Sequence, residues 1–420
     1  MQNSAQKRVV ITGMGTINPI AASVPEFWDN LIAGKNGVRT LKYTDTSILP
    51  VKIGGEVDLP ENIGDYLPKK KVNRFERFIV FARIAAVQAF RDSGILREDV
   101  DSAPYRYGAI IGTGDGGNAG HYKSCQSIDK HNSVEFVSPF YVVSVIPNTP
   151  PAYFAKDYNF QGPNFSVNSA CATSNHAIGI AAAMIKAGTA DVMMAGGCES
   201  CLNMSGLSGF SAIGALSRRN DSPETASRPF DKNRDGFVLA EGAGVVCLEE
   251  LEHAKKRGAR IYAELSGYGL SCDAFDLVAP HPDGRGIAMS VNMALESAGL
   301  SASDIDLVNA HGTSTNIGDL AETTTLRRLF GAEADRIMVH STKSMVGHLI
   351  GAAGGVEAIA AILALCKGIV HPSINIFERD PKIDLNIVTE TRECAVRHVL
   401  SNGFGFGGQN SSIILSQFKG

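Results

Sequence analysis

Short apolar runs that end in glycine alternate along the chain with longer stretches of helical periodicity. Residues 8–15 (RVVITGMG), 107–114 (YGAIIGTG) and 191–197 (DVMMAGG) are three such runs. A short apolar run bounded by turn residues predicts a buried strand, whereas the patterns at 77–93 and 177–187 predict helices. Alternation of this kind predicts an α/β fold, with helices packed against a sheet.

The same pattern begins again near residue 261. Residues 261–269 (IYAELSGYG) predict a strand that runs into a glycine turn, as at the N-terminus, and 305–310 and 337–341 predict further strands. Two similar passes of strand and helix predict a duplicated fold with chemically active residues at strand ends. We place the two halves at residues 1–255 and 256–420.

Length and composition are consistent with this division. A chain of 420 residues is too long for one ordinary hydrophobic core. Hydrophobic residues make up 44% of the chain and charged residues 20%, which is the mixture of a globular protein. The net charge of -4 argues against general nucleic-acid binding, so we expect no nucleic-acid partner.

Cysteine spacing and hydropathy indicate the compartment. The eight cysteines show no regular framework, and a chain of this length does not require disulfides. The first eight residues lack the apolar core of a signal peptide, so we expect a cytoplasmic protein. Residues 349–366 approach the length of a membrane span, but Glu357 and many small residues predict a buried helix instead. We therefore expect no membrane partner.

The stretch at 165–176 (FSVNSACATSNH) combines a short strand pattern with the start of an alanine-rich helix. It places Cys171 at a strand-to-helix turn, near the positive end of the helix dipole. A thiolate is stabilised at such a position, which predicts a low pKa and a nucleophilic sulfur. The alternative is a structural cysteine buried in an alanine-rich core.

Three further loops carry candidate chemistry. His311 ends a predicted strand, His348 precedes a predicted helix, and residues 402–408 (NGFGFGG) form a glycine-rich loop able to offer backbone N–H groups. Either histidine alone is more often structural. Together with Cys171 they predict acyl transfer, which requires a nucleophile, imidazoles and an oxyanion hole. A zinc site is the alternative; the close paired spacing of zinc ligands is missing, so we expect no metal.

Three other motifs are weaker. Residues 112–117 lack the full dinucleotide-binding fingerprint. Residues 231–236 imitate the start of a calcium loop, but Gly242 occupies the position of the bidentate glutamate. Cys198 and Cys201 have the spacing of a redox pair, although their surroundings favour a packing role.

Over nearly its whole length the chain resembles the β-ketoacyl-acyl carrier protein synthases, in particular the type II elongating condensing enzymes of the thiolase superfamily. The motifs that carry the resemblance are Ile11–Gly15, the Cys171 turn, Ser227–Asp231, Arg234–Val238, Glu241–Gly244, His311–Thr315, Lys343–His348 and Gly405–Gly408. The resemblance implies a thiolase-like duplicated α/β fold with mixed sheets between helices. It also implies an acyltransferase of fatty acid biosynthesis that is a homodimer.

The resemblance implies a role for each catalytic residue. Cys171 takes an acyl group from a carrier-protein thioester. His311 and His348 hold the malonyl thioester and stabilise the enolate formed as carbon dioxide leaves. That carbanion attacks the acyl-Cys171 thioester and gives a 3-oxoacyl product two carbons longer. The backbone N–H groups of Cys171 and Phe404 form the oxyanion hole, and Phe404 is the gate between the half-reactions.

Supporting and substrate residues follow from the same resemblance. Lys343 is expected to be held by three acids, namely Asp319, Glu322 and Glu357. Residues expected to contact substrate are Thr313 and Thr315, on the phosphopantetheine arm, and Asp115 and Phe210, in the acyl pocket. Because the carrier protein brings that arm, no cofactor of the chain's own is expected.

A basic cluster precedes the helix predicted at 77–93. Lys69, Lys70, Lys71 and Arg74 are noticeable in an acidic chain, and we expect them to dock an acidic acyl carrier protein. The alternative is a solvated helix start.

Several residues depart from the family pattern. Asp115 stands where an apolar residue commonly lines the acyl pocket, and Ala240, Pro147 and Gln409 are also unusual. An unpaired carboxylate beside a saturated chain is costly. We therefore expect the preferred acyl primer to differ from a long saturated chain.

The motifs leave three alternatives to fatty acid elongation. A ketosynthase of a type II polyketide or polyene pathway would use the same chemistry, and a heterodimer with a chain-length-factor-like subunit is compatible with it. A thiolase acting on coenzyme A esters is disfavoured because thiolases pair one histidine with a second cysteine. A non-catalytic chain-length factor is disfavoured because such subunits usually lack the nucleophile that Cys171 supplies.

Overall fold

The computed structural model describes residues 7–420, and its centre is one eleven-stranded mixed sheet. The strands are β1 (Val9–Ile17), β2 (Arg39–Thr40), β3 (Ile53–Gly54), β4 (Tyr107–Gly112), β5 (Asn164–Phe165), β6 (Val192–Ser200), β7 (Glu241–Glu250), β8 (Ala263–Cys272), β9 (Leu307–Asn309), β10 (Met338–His340), β11 (Ile369–Val370), β12 (Asn386–Ile387), β13 (Arg392–Glu393), β14 (His398–Gly405) and β15 (Gln409–Ser416). Two small sheets, β2–β3 and β11–β13, lie apart from it.

The helices connect these strands and cover the sheet. They are α1 (Val24–Ile32), α2 (Lys69–Val72), α3 (Arg77–Ser93), α4 (Arg97–Ser102), α5 (Asn118–His131), α6 (Tyr141–Val145), α7 (Thr149–Tyr158), α8 (Thr173–Lys186), α9 (Met204–Ala212), α10 (Leu251–Lys256), α11 (Arg285–Ala298), α12 (Asn316–Phe330), α13 (Lys343–Val346) and α14 (Ala353–Lys367).

Strand order shows the duplication that the sequence predicted. The large sheet runs β12-β10-β9-β14-β15-β8-β1-β7-β6-β4-β5. The two halves of this sheet have the same arrangement when each is read outward from the middle. The N-terminal half runs β1-β7-β6-β4-β5 and the C-terminal half runs β8-β15-β14-β9-β10. Corresponding strands come in the same chain order and pair in the same direction, parallel or antiparallel. Antiparallel pairing of β1 with β8 joins the two halves into one sheet. The fold is therefore a duplicated α/β fold, although the boundary we placed at 255/256 falls inside α10 and stays a prediction.

Two nearly buried helices, α8 and α14, pack against each other and against strands of both halves. The helical stretch Ile350–Lys367 is long and apolar enough to cross a membrane, but 89% of its most apolar window is buried inside the chain. Small residues make this possible, because alanine and glycine let helix and strand backbones approach closely. The buried helix predicted from 349–366 is thus a central element of the core.

One segment on the surface differs from the rest. Helix α5 has no buried residue, and the connection after it exposes several large apolar side chains. These are Val134, Phe136, Phe140, Val142 and Val143, and Tyr122 on α5 itself is exposed as well. Strand β5, at the end of the sheet, lies nearby in sequence and pairs only with β4 among the described strands.

Packing of α3 on β1 generates a test of the fold. A Cβ atom on Gly15 would lie 2.0 Å from the carbonyl oxygen of Ala85 in α3. We expect Gly15→Val to lower the free energy of unfolding by at least about 2 kcal/mol, because backbone atoms cannot move aside as a side chain can. Urea denaturation is the measurement, with Gly64→Ala as the control because nothing lies near that position. Equal stability of the two variants would contradict this packing.

Candidate active site

Cys171 sits on a strained turn between β5 and α8. A short 3₁₀ turn, Ala170–Ala172, leads directly into the helix. The φ angle of Ala170 is 48°, in the left-handed region that non-glycine residues rarely adopt. The Oγ1 atom of Thr173 accepts a hydrogen bond from the N–H of Ser169 at 2.9 Å, which helps to hold the turn. Strain of this kind is often found where a reactive side chain must be aimed.

The structure brings Cys171, His311 and His348 together. His311 follows β9 and His348 follows α13, so both histidines come from the C-terminal half of the chain. The Nε2 atom of His348 lies 3.0 Å from the Sγ atom of Cys171, and the two imidazole centres are 5.4 Å apart. The candidate ligand atoms of all three residues lie within 4.8 Å of one another. This is the spacing required for one substrate carbon centre to meet all three groups.

A backbone hydrogen bond fixes the proton on His348. The N–H of Ile350 donates to Nδ1 at 3.3 Å, so in the neutral ring Nε2 carries the proton and points at the sulfur. Burial lowers the pKa of His348 well below its usual value, and the positive charge of Lys343 lowers it further. Burial also lowers the pKa of His311 well below its usual value, and the positive charge of Lys343 and the neighbouring His348 lower it further. Both imidazoles are therefore neutral hydrogen-bond donors at physiological pH.

The pKa of Cys171 differs from the sequence prediction. Burial raises the pKa of the thiol to about 12, whereas the charge of Lys343 and the backbone N–H groups of Phe406 and Cys171 act in the opposite direction. Only 7% of the residue is exposed. The prediction of a low pKa was wrong because it considered the helix dipole without the loss of solvation. At rest the sulfur is a protonated thiol.

The glycine-rich loop also requires a correction. Phe404 belongs to β14 and pairs with Asn410, and its ring packs edge-on against His311 at 5.7 Å. The backbone N–H that approaches the Cys171 sulfur is that of Phe406, in the turn after β14. The backbone N–H that was predicted to approach the sulfur from Phe404 therefore comes from Phe406. The flanking Gly405 and Gly407 were the available signal, since they let the turn come close to the nucleophile.

Lys343 is held by one acid rather than three. Its Nζ atom lies 2.5 Å from Oε1 of Glu357, and both residues are almost fully buried. Glu322 instead accepts the backbone N–H groups of His311 and Gly312, each at 2.9 Å. Glu322 thereby holds the loop that carries His311. Its interaction with Lys343 is a longer-range attraction between charges.

Asp319 serves another loop. It lies 3.4 Å from the guanidinium of Arg234 and accepts the backbone N–H groups of Phe230 and Ser314. Burial raises its pKa to about 6, although the charge of Arg234 opposes this shift. Its predicted contact with Lys343 is therefore wrong. Arg234 is a supporting residue whose role the sequence did not show.

The three reactive groups line a cavity of about 330 Å³. Thr313, Thr315 and Phe210 line it too, and the two threonine Oγ1 atoms lie 3.0 Å apart. Its exposed lining residues include the apolar Ile213 and Ile317 and the polar Asp235 and Asn316. The cavity thus connects a mixed polar and apolar opening with the thiol.

Asp115 lies behind this cavity, against a buried glutamate that the sequence analysis did not single out. This glutamate is Glu199. Its Oε1 atom accepts hydrogen bonds from the backbone N–H of Asp115 and from the hydroxyl of Thr113. Glu199 lies in β6, a strand that is buried throughout, where an acidic side chain was a visible but unused signal.

The basic cluster is divided between free and engaged side chains. Lys69 and Lys70 are exposed at the start of α2. Lys71 donates to the hydroxyl of Tyr153, and the guanidinium of Arg74 lies over the ring of Phe140. Only the first two are therefore fully available to a partner.

Two of the three weaker motifs are packed into the protein. The carboxylate of Asp231 accepts backbone N–H groups from Asn233, Phe377 and Glu378, so it already serves to tie loops together. Cys198 and Cys201 are both free and fully buried.

Comparisons with known proteins agree with this arrangement. The family described as "Beta-ketoacyl synthase, N-terminal domain" matches residues 6–254, and "Beta-ketoacyl synthase, C-terminal domain" matches residues 262–377. The 3-oxoacyl-[acyl-carrier-protein] synthase 2 of Coxiella burnetii is 42% identical over 414 residues, which cover 98% of this chain and 99% of that protein.

Solved structures give the same result. The ishigamide ketosynthase/chain length factor superposes with a TM-score of 0.92 at 32% identity, covering 99% of this chain and 100% of that one. The complex described as "AntDE:AntF (apo): type II PKS acyl-carrier protein in complex with its ketosynthase bound to the hexaketide" has a TM-score of 0.91 at 32% identity, with the same coverage.

The chain therefore belongs to the beta-ketoacyl synthase family. Within it the chain is a synthase II-like condensing enzyme of fatty acid synthesis, an acyltransferase that forms carbon–carbon bonds.

The buried ion pair generates a prediction about stability and activity. We expect Glu357→Gln to cost about 3–5 kcal/mol of unfolding free energy, because it leaves the Lys343 charge buried without a partner. The double variant Lys343→Met/Glu357→Leu should recover most of this stability but not the condensation rate. Urea unfolding and condensation assays are the measurements. Full stability of Glu357→Gln would show that the pair is not buried as described.

Proposed function

We propose that the chain elongates an acyl group by decarboxylative condensation with a malonyl thioester, and that an acyl carrier protein delivers both. The observation that carries this proposal is the 3.0 Å approach of the protonated His348 Nε2 to the Cys171 sulfur at the end of the cavity. A thiol beside two neutral imidazole donors suits thioester chemistry, in which charge develops on a carbonyl oxygen.

Acyl transfer comes first. The sulfur of Cys171 attacks the carbonyl carbon of the acyl thioester, and the negative charge develops on its oxygen. The backbone N–H groups of Cys171 and Phe406, which both approach the sulfur, are placed to stabilise that oxygen. The departing carrier thiolate accepts the proton that the thiol loses, so no external base is consumed. The energetic cost of a free thiolate in this buried site is avoided.

Condensation follows from the two imidazoles. His311 and His348 donate hydrogen bonds to the malonyl thioester oxygen, which becomes an enolate as carbon dioxide leaves. Neutral donors serve this step because they stabilise the negative charge without first being deprotonated. The carbanion then attacks the acyl carbon on Cys171 and releases the thiolate, which takes a proton from solvent. The product is a 3-oxoacyl thioester two carbons longer.

Residues along the cavity position the carrier's arm. Thr313 and Thr315 offer hydroxyls to the amide groups of a phosphopantetheine chain. Because the carrier protein brings that chain, the enzyme is proposed to need no cofactor of its own. The Phe406 ring faces Phe210, with 6.2 Å between ring centres. Because its amide also approaches the sulfur, movement of Phe406 would change both the oxyanion hole and access to the acyl end.

The protein is proposed to act as a cytoplasmic homodimer. The exposed apolar side chains at 134–143 and the edge strand β5 are two features that a second copy can cover, the first by apolar burial and the second by strand pairing. A related chain could cover the same surface, since the ishigamide neighbour is a ketosynthase/chain length factor. Analytical ultracentrifugation of the purified chain distinguishes a homodimer from a monomer that requires a different subunit.

A polyketide-type pathway is the second candidate function. The buried acid beside the catalytic cavity favours it, since Asp115 is poorly suited to a saturated chain. The AntDE ketosynthase, which is 32% identical, is bound to a hexaketide.

Removal of the nucleophile is the first test of the proposal. We expect Cys171→Ala to abolish both acylation of the protein and condensation, a loss of at least about 10⁴-fold, while the fold persists because alanine packs in the same space. Intact-protein mass spectrometry and product assays are the measurements, and Cys247→Ala, at a buried cysteine outside the cavity, is the control. Condensation by Cys171→Ala at the parental rate would refute the assignment.

The histidines are tested separately from the thiol. We expect His311→Ala and His348→Ala to slow malonyl decarboxylation by at least about 10²-fold, because each removes a donor to the enolate. Some acyl transfer to Cys171 should persist, because the turn and its amide donors are unaffected. Release of labelled carbon dioxide in single turnovers is the measurement. Decarboxylation at the parental rate in both variants would refute the proposed roles.

Charge reversal tests the docking cluster. We expect Lys69→Glu/Lys70→Glu to raise the KM for acyl carrier protein by about tenfold, and less at high salt, because exposed charges steer an acidic partner. Reaction with small thioester mimics should not change. Lys255→Glu/Lys256→Glu, an exposed pair on α10, is the matched control. Equal effects of the Lys69/Lys70 variant on carrier-bound and small substrates would exclude docking there.

A further inference from the structure

A buried segment that follows β11, residues 371–374, supports the catalytic loops from outside the cavity. It packs against the turn at 341–344, where the hydroxyl of Ser373 accepts the backbone N–H of Ser341 at 2.8 Å. The hydroxyl of Ser341 in turn donates to the carbonyl of Gly312 at 2.7 Å, in the loop that carries the first catalytic histidine. The segment therefore holds one catalytic loop through the other.

The side chain of His371 makes the second contact between this segment and the turn. Its Nδ1 atom lies 2.9 Å from the carbonyl oxygen of Pro372, which can only accept, so Nδ1 carries the proton. Burial lowers the pKa of His371 to about 4, so the ring is neutral at physiological pH. Its Nε2 atom is then an acceptor, and it lies 3.1 Å from the hydroxyl of Thr342.

A second imidazole fixes the plane of this ring. His340 is fully buried and stacks on His371, with 3.8 Å between ring centres and 24° between ring planes. The Nδ1 atom of His340 donates to the carbonyl of His371 at 3.1 Å, so backbone and ring are held together. Since stacking leaves the ring of His371 little freedom to turn, its Nε2 atom has a fixed direction.

Thr342 joins the loops of the two catalytic histidines. Its hydroxyl is also hydrogen-bonded to the side-chain amide of Asn309, at 3.2 Å. Asn309 ends β9, two residues before His311, and Thr342 precedes α13, which leads to His348. Because both partners are fully buried, no solvent molecule competes for this hydroxyl. The distance between the two loops thus depends on where the hydroxyl of Thr342 is held.

We propose that His371 is a positioning residue for condensation, which sets the separation of His311 and His348 by accepting a hydrogen bond from Thr342. The inference rests on the proposed roles of the two histidines at the enolate. Two donors must meet one oxygen there, and a displacement of about 1 Å can cost about 100-fold in rate. Acylation of Cys171 uses backbone N–H groups of other loops, so it should not depend on His371.

The test separates decarboxylation from acylation. His371→Phe keeps a ring for stacking but loses the acceptor, and Thr342→Val keeps the side-chain shape but loses the hydroxyl. We expect each variant to release labelled carbon dioxide from malonyl-carrier protein about tenfold more slowly at saturation, with an unchanged KM. Loading of Cys171 by hexanoyl N-acetylcysteamine, followed by intact-protein mass spectrometry, should stay within about twofold of the parental rate.

A double variant shows whether the two side chains act together. His371→Phe/Thr342→Val should be no slower than the slower single variant, because both changes remove the same hydrogen bond. His371→Gln should keep decarboxylation within about threefold of the parental rate, because its amide oxygen can accept from Thr342. If His371→Phe does not fold, Thr342→Val gives the same readout.

Thr12→Val is the control, at a buried threonine on β1 outside the cavity, and it should behave as the parent protein does. Parental decarboxylation in His371→Phe and Thr342→Val, losses that multiply in the double variant, or equal slowing of acylation and decarboxylation would overturn the role of His371. Each of these results would leave the proposed function intact. Parental decarboxylation in His311→Ala and His348→Ala would overturn the proposed function and this inference together.

Discussion

The contact between Cys171 and His348, made where water is almost excluded, is the constraint on which the other features of the site depend. In such surroundings an isolated thiolate or imidazolium is costly, so both groups rest in their neutral forms. Neutral groups can sit 3.0 Å apart without repulsion, and the backbone N–H of Ile350 sets which nitrogen donates. Catalysis then depends on donors already aimed at the oxygen that becomes charged.

The buried lysine near this pair requires a counter-charge, and Glu357 supplies it. Glu357 comes from α14, the core helix that packs against both halves of the molecule, and Lys343 from α13, the short helix that precedes His348. Burial, and then the positive charge of Lys343, lower the pKa values of both imidazoles, while the ion pair links α13 to the core. Stability and reactivity are therefore coupled through one interaction.

Much of this could be predicted from the sequence, because periodicity and motif order report local structure. Helix α3 begins and ends where the pattern predicted, and the repeated strand pattern indicated the duplication. What the sequence could not show depends on long-range packing. The pKa of Cys171, the partner of Asp319 and the position of the amide of Phe406 are set by which loops meet in space. The family resemblance identified the glycine-rich loop that contributes a backbone N–H near the sulfur. It assigned that N–H to Phe404, whereas in the structure it belongs to Phe406.

The protonation state of Cys171 at rest is the property that tests this account most directly. A thiolate absorbs near 240 nm, so the difference in ultraviolet absorbance between the parent protein and Cys171→Ala can be followed between about pH 6 and 9. Because burial holds the pKa of the thiol high, we expect no thiolate absorbance from Cys171 anywhere in this range. A difference equal to one thiolate, with a midpoint below about pH 8, would show that the sulfur is ionised before substrate arrives and would contradict the account.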